Sequence, residues 1–162
     1  MEKFKLLDLF KLIISLLICQ LIGFIGSWFT TPAIPWYQTL QKPAFTPPNW
    51  LFAPVWLTLF SLMGISAFLI WQKGFNKLPV KRALSLFLLQ LIINLFWSMA
   101  FFGLHSSLLG LIMIIMLWIL ILINIIAFFS ISSLAAWLLF PYLLWVSFAT
   151  YLNYGFMILN VK

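Results

Sequence analysis

The chain has 162 residues, 65% of them hydrophobic and only 7% charged, whereas a soluble domain carries about 25% charged residues. Its formal net charge is +7, yet both acids, Glu2 and Asp8, fall at the very start. This composition describes an integral membrane protein. It excludes chemistry built on paired carboxylates, carboxylate metal sites or acid-based proton relays, because no acidic side chain follows Asp8.

A membrane helix needs about 20 mainly apolar residues. Five such runs follow one another, at residues 6–29, 49–72, 81–102, 106–130 and 134–159. The first contains Lys11 and lacks a short apolar core ending in a small-x-small cleavage site, so it reads as a retained span rather than a signal peptide. Cys19 lies inside it. As a lone cysteine it excludes an intramolecular disulfide and a CxxC site, and it reads as a small apolar residue. Residues 30–48 form a long proline-rich connector, 73–80 a polar basic one, and the last two connections are short turns that make spans three, four and five antiparallel neighbours. No repeat or soluble insertion interrupts the series, so the expected fold is all-α: a single membrane domain of five transmembrane helices.

Lysine and arginine divide unequally between the two sides. One side collects Lys3, Lys5, Lys11, Lys73, Lys77, Lys81 and Arg82, the other only Lys42 and Lys162. Basic loops stay cytoplasmic, so the N-terminus is expected inside, the C-terminus and the first connector outside, as in a bacterial cell membrane. Because these cations flank apolar spans, their partners are anionic lipid headgroups rather than nucleic acid.

The first connector and the start of span two, WYQTLQKPAFTPPNWLFAPVW from Trp36 to Trp56, combine prolines, tryptophans and the lone cation Lys42. Residues before Pro35 and Pro43 are expected to be extended, which stiffens the connector into a lid. Thr46 before Pro47, Pro48 and Asn49 reads as the cap that starts the second helix. The alternative is a rim loop of interfacial aromatics. Trp50 and Trp56 are six residues apart, about 240° around an ideal helix. Unless Pro54 distorts that turn, only one of them faces inward, and Trp56 is the better placed.

Span three carries Gln90, Asn94 and Ser98 at four-residue spacing, with Trp97 beside them. Such groups face other helices or a cavity, either as interhelical hydrogen bonds or as ligand contacts. Span five offers two aromatic stripes, Trp145/Phe148/Leu152 and Ser147/Tyr151/Tyr154, which read as helix contact or as a pocket wall. Pro54 and Pro141 are expected to loosen the helical ladder locally. Gly23, Gly26 and the Gly64/Ser61 pair permit close helix approach. His105, the single histidine, lies in a turn and reads as an interfacial polar residue rather than a haem ligand. No metal site and no resident cofactor are called for.

These residues bring out a resemblance. The chain resembles the translocator protein family, also called tryptophan-rich sensory proteins or peripheral-type benzodiazepine receptors, nearly end to end. The likeness is carried by Trp36-Tyr37, Leu40, Lys42-Pro43, Pro47-Pro48 and Trp56; by Asn94-Leu95, Trp97-Ser98 and Phe101-Phe102; and by Pro141-Tyr142-Leu143, Trp145, Phe148-Ala149 and Leu152-Asn153. The resemblance implies a five-helix bundle, often a homodimer, with a pocket that takes porphyrins, haem-related tetrapyrroles and isoquinoline ligands. Carried over by position, the pocket includes Trp50, Trp56, Asn94, Trp97, Trp145 and Ala149.

Trp36, Tyr37, Lys42 and Phe45 belong to the lid side of that site, Lys42 as the cation for a porphyrin carboxylate. Phe45 stands where the family commonly has tryptophan, which removes an indole donor. Two further departures matter. The acid that the family often has early in span four is replaced by apolar Leu111-Ile112-Met113-Ile114-Ile115, and the sterol-associated Leu–Tyr–Lys/Arg pattern fails because seven residues separate Tyr154 from Lys162. The expected function is tetrapyrrole binding and sensing, with light- and oxygen-dependent porphyrin breakdown by tryptophans, or facilitated transport, as alternatives.

Overall fold

A computed structural model describes residues 6–160. Lys3, Lys5 and Lys162, which entered the orientation count, lie outside the described residues. Helices α1 (Leu6–Thr30), α3 (Phe52–Gln72), α4 (Leu78–Ser98), α5 (Ser107–Phe129) and α7 (Phe140–Leu159) carry the bundle, with short helices α2 (Ile34–Thr39) and α6 (Ser133–Leu138) between them. No strand occurs among the described residues. Among the described residues, five segments are long and apolar enough to cross a membrane: Leu6–Thr30, Asn49–Gln72, Leu78–Gly103, Ser107–Phe129 and Ser133–Leu159. The protein is an all-α, multi-pass membrane protein.

Around the bundle, α1 lies between α3 and α4, α5 joins α4 to α7, and α3 meets α7 only briefly. The α1–α3 seam is tight because Gly64 has no side chain. A Cβ there would lie 2.9 Å from the Leu16 Cα, so only glycine lets the two backbones approach this closely. One turn further, Gln20 Nε2 donates to the Leu57 carbonyl at 3.1 Å and to Ser61 Oγ at 2.9 Å. On the other side, Phe87 stacks on Phe128 at 5.9 Å between α4 and α5, and Asn124 Nδ2 donates to the Ala83 carbonyl. Ser66 Oγ ties α3 to the Ala135 carbonyl of α6 at 2.6 Å.

Several local expectations are corrected. The third membrane segment begins at Leu78 rather than Lys81, since Pro79 occupies the first turn of α4, where its missing N–H costs nothing. Residues around Pro35 are helical rather than extended: Pro35 lies in the first turn of α2 for the same reason. Thr46 does not cap the second span. Its hydroxyl donates back to the Pro43 carbonyl at 2.7 Å, closing a turn, and the span starts without a side-chain cap as a 3-10 turn at Asn49–Leu51. The side chains that do cap are serines: Ser106 accepts from the Leu109 N–H and Ser132 from the Ala135 N–H.

Pro54 lies in the first turn of α3 and leaves that helix unbroken. Pro141 does more, because span five divides at Leu139, leaving the proline in the first turn of α7.

Candidate ligand cavity

Where α3 and α7 separate, a cavity of about 660 Å³ opens between α1, α3, α4 and α7, with Tyr37 of α2 closing one end. Its size lies within the roughly 300–1,000 Å³ of small-molecule sites. The wall on α7 repeats at helical spacing: Trp145, Ala149, Leu152, Asn153 and Phe156. Facing them are Phe52, Trp56 and Phe60 of the second span and Asn94 and Trp97 of α4. Trp56 stacks on Phe60 at 5.5 Å and lies 5.9 Å from Trp97, while Trp145 meets Phe52 edge-on at 6.0 Å.

The end of α4 supplies two more rings by changing its pitch. Over Met99–Gly103 the helix widens to a π turn, with the Leu104 N–H bonding the Met99 carbonyl at 2.8 Å, five residues back. Phe101 and Phe102 both reach the cavity as a result, edge to face at 4.8 Å.

The polar groups of the wall are largely committed to one another. Asn94 Nδ2 donates to Tyr142 Oη at 2.9 Å, Trp97 Nε1 to Asn153 Oδ1 at 3.1 Å, and Asn153 Nδ2 to the Ser107 carbonyl at 2.8 Å. The Ser27 and Thr30 hydroxyls donate to carbonyls of their own helix. Two buried donors of the lining, Tyr37 Oη and Trp145 Nε1, have no partner among the described residues. An unmet buried donor costs about 1–3 kcal/mol, which an acceptor brought within reach of either group would relieve. Among the described residues, no Lys, Arg, Asp, Glu or His lines the cavity.

The connector lies across this end, fixed at several points. Trp36 stacks on His105 at 4.5 Å and meets Phe101 edge-on at 5.6 Å, while Tyr37 rests on Phe156 at 5.2 Å. Further along, the Gln41 N–H donates to Asn160 Oδ1 at 2.8 Å, and Asn160 Nδ2 returns a bond to the Gln41 carbonyl at 3.0 Å. Pro43 sits directly on Gly155, where any Cβ would come within 2.6 Å of the proline ring, and Tyr151 Oη donates to the Ala44 carbonyl. Outside, Lys42 Nζ stands 5.3 Å over the Tyr37 ring. Burial pushes the Tyr37 phenol up to about 12.

Of the residues expected at a site, the structure brings Tyr37, Trp56, Asn94, Trp97, Trp145 and Ala149 to the cavity wall. Trp36 and Lys42 stand behind or outside Tyr37, and Trp50 and Phe45 are turned to the surface, 72% and 86% exposed. Phe45 adopts φ +63°, a left-handed turn that carries its ring outward. The helical offset between Trp50 and Trp56 is thus kept, and Trp56 is the one that lines the cavity. The stripe Ser147/Tyr151/Tyr154 does not face it: Ser147 receives the Trp118 indole N–H at 2.8 Å on the outer side, and Tyr154 is half exposed.

Sequence reasoning passed over Gln20, Phe52, Gly155 and Asn160. Gln20 had a signal, being a lone amide in an apolar span. Gly155 and Asn160 act on the connector from far along the chain and had none.

Comparison with known proteins fixes the relationship. A model of the TspO/MBR family matches residues 15–159. The chain belongs to the TspO/MBR family. It is 46% identical over 144 residues to the tryptophan-rich protein TspO of Chlorobaculum tepidum, covering 88% of this chain and 91% of that one. Against the protein of the same name from Archaeoglobus fulgidus the identity is 43% over 156 residues, 95% and 99% of the two chains. The human translocator protein is 39% identical over 134 residues, 81% of this chain and 79% of the other. The cavity and its connector both fall within the span matched to the TspO/MBR family.

Proposed function

We propose that the cavity binds a planar tetrapyrrole of the protoporphyrin class and that the protein senses this ligand within the membrane. The observation that carries this reading is an aromatic cavity of about 660 Å³ with no charged side chain among its described lining residues. A ring burying about 300 Å² of apolar surface gains roughly 7 kcal/mol, before the cost of association. Trp56, Trp97 and Trp145 supply flat contact area with little loss of side-chain freedom. With no cation among the described residues of the lining, the ring enters and its carboxylates stay at the rim, where Lys42 is the nearest cation of the connector. We orient the N-terminus of α1 towards the cytoplasm from the cluster Lys73, Lys77, Lys81 and Arg82; thiol labelling of single cysteines placed at residues 76 and 42 tests that assignment.

Titration of the purified protein with protoporphyrin IX tests the ligand reading. Tyr37→Phe removes one donor while keeping its ring, Trp145→Phe removes one donor while keeping an aromatic side chain, and each should weaken binding about fivefold to tenfold. Unchanged affinity in both, or no binding by the unaltered protein, overturns it.

The Trp56–Trp97 pair favours a second reading. Indoles 5.9 Å apart can pass an electron from ring to ring, which suits light-driven oxidation of the bound porphyrin with dioxygen as oxidant. Absorbance loss under light that persists at the same rate in Trp97→Phe, or with free porphyrin, rules it out.

A further inference from the structure

A second concave site lies far from the cavity, on the outer face of α4 near its N-terminus. Lys81, Arg82, Ser85, Leu86 and Leu89 line a shallow groove there. Arg82, Ser85, Leu86 and Leu89 follow at i, i+3, i+4 and i+7, one continuous stripe of the helix. At 1.5 Å per residue the stripe runs about 10 Å from guanidinium level to the last leucine. That is a cationic head over an apolar floor, at the level where a membrane changes from headgroup to acyl chain.

Three observations point to an occupant. First, α4 starts at Leu78, so Lys81 and Arg82 are part of the helix and not of a free loop. Second, neither forms an ion pair among the described residues, where Asp8 is the single acid; Lys81 stands 5.8 Å over the Phe75 ring instead. Third, the Ser85 hydroxyl is available. Thr58, Ser61, Ser147 and Thr150 each donate to the carbonyl four residues back, whereas Ser85 makes no hydrogen bond among the described residues.

We infer that this groove binds an anionic phospholipid, with the phosphate held by Arg82, Lys81 and Ser85 and one acyl chain lying along Leu86 and Leu89. The planar guanidinium gives a phosphate two parallel hydrogen bonds, the ammonium adds charge, and the hydroxyl adds a third donor. A soluble anion would use the head of the groove and leave the leucines bare. A lipid satisfies both halves, and an α4 that spans the membrane presents them at matching depth. This site is independent of the tetrapyrrole reading, since it shares no residue with the cavity.

Native mass spectrometry of the protein taken from mixed micelles tests the inference, with phosphatidylglycerol and phosphatidylcholine at equal mole fraction. The unaltered chain should retain phosphatidylglycerol preferentially. Each of Lys81→Gln and Arg82→Gln should cut that preference about fivefold, and the pair should abolish it, while Lys73→Gln/Lys77→Gln, off the groove, leaves most of it. All four positions are exposed, and helical circular dichroism checks that each variant folds. An unchanged preference in the Lys81/Arg82 pair overturns the site. Equal losses from the Lys73/Lys77 pair overturn it too, as a diffuse basic surface would behave that way. Displacement of the lipid by millimolar inorganic phosphate alone would assign the groove to a soluble anion instead.

Discussion

Asn160 is the most direct handle on the connector that covers the cavity. Its side chain exchanges two hydrogen bonds with the Gln41 backbone, at 2.8 and 3.0 Å, across 119 residues of sequence. In Asn160→Ala both are lost. Each such bond contributes about 0.5–1.5 kcal/mol, and these two are water-accessible, so the low end applies and the sum is about 1–2 kcal/mol. That shifts the opening equilibrium of residues 36–46 roughly fivefold to thirtyfold. Amide hydrogen exchange reads the change directly: peptides covering the connector should exchange faster by that factor, while α4 and α5 peptides keep their protection. Gly155→Ala should act in the same direction, because its new Cβ would stand 2.6 Å from the Pro43 ring, which cannot bend away. If both variants leave connector exchange as it was, the latch reasoning is refuted. Bound porphyrin should leave either variant faster than it leaves the unaltered chain.

Three further perturbations test other parts of the structure. Gly64→Ala places a Cβ 2.9 Å from the Leu16 backbone and must part α1 from α3, at about 1–3 kcal/mol; a thermal midpoint in detergent that does not fall argues against the seam. Tyr142→Phe strips the buried Asn94 amide of its acceptor, and a loss of about 1–3 kcal/mol in denaturant unfolding is expected, with Asn94→Leu/Tyr142→Phe recovering part of it. Burial raises the Tyr37 phenol from its ordinary 10.0 to about 12, so the folded chain holds that proton more tightly than the unfolded one. The connector should therefore keep its full stability below about pH 10 and lose stability as the pH rises towards 12. Tyr37→Phe should lack that drop in an alkaline exchange titration.

The membrane architecture was legible because each span is an apolar run long enough to cross the bilayer, and charge and proline mark the gaps. What escaped was local, and each case has a reason. Proline before a helix and proline inside a connector look the same in sequence: the expected extended strap around Pro35 and the connector expected at residues 73–80 instead hold the first turns of α2 and α4. Thr46 had the chemistry of a cap, but its own turn offered the Pro43 carbonyl closer at hand. The π turn at Met99–Gly103 has no compositional mark. It lies just before the turn at His105, which itself takes φ +52°.

At the cavity, residue types were legible and hydrogen-bond assignments were not. Asn94 and Trp97 suited either ligand contacts or interhelical hydrogen bonds, and the structure shows the second: Asn94 Nδ2 donates to Tyr142 and Trp97 Nε1 to Asn153. The free donors belong to Tyr37 and Trp145, on opposite elements, one on the connector and one on α7. An occupant that accepts from both therefore joins the connector to the bundle, adding to the bonds from Asn160. Lys42, seated over the outer face of the Tyr37 ring, places a positive charge on that same connector. A ligand with acceptors inside and carboxylates at the rim would hold Tyr37 from one face and draw on Lys42 at the other. Occupancy and connector position are then two readings of one equilibrium, which is the property a membrane sensor needs.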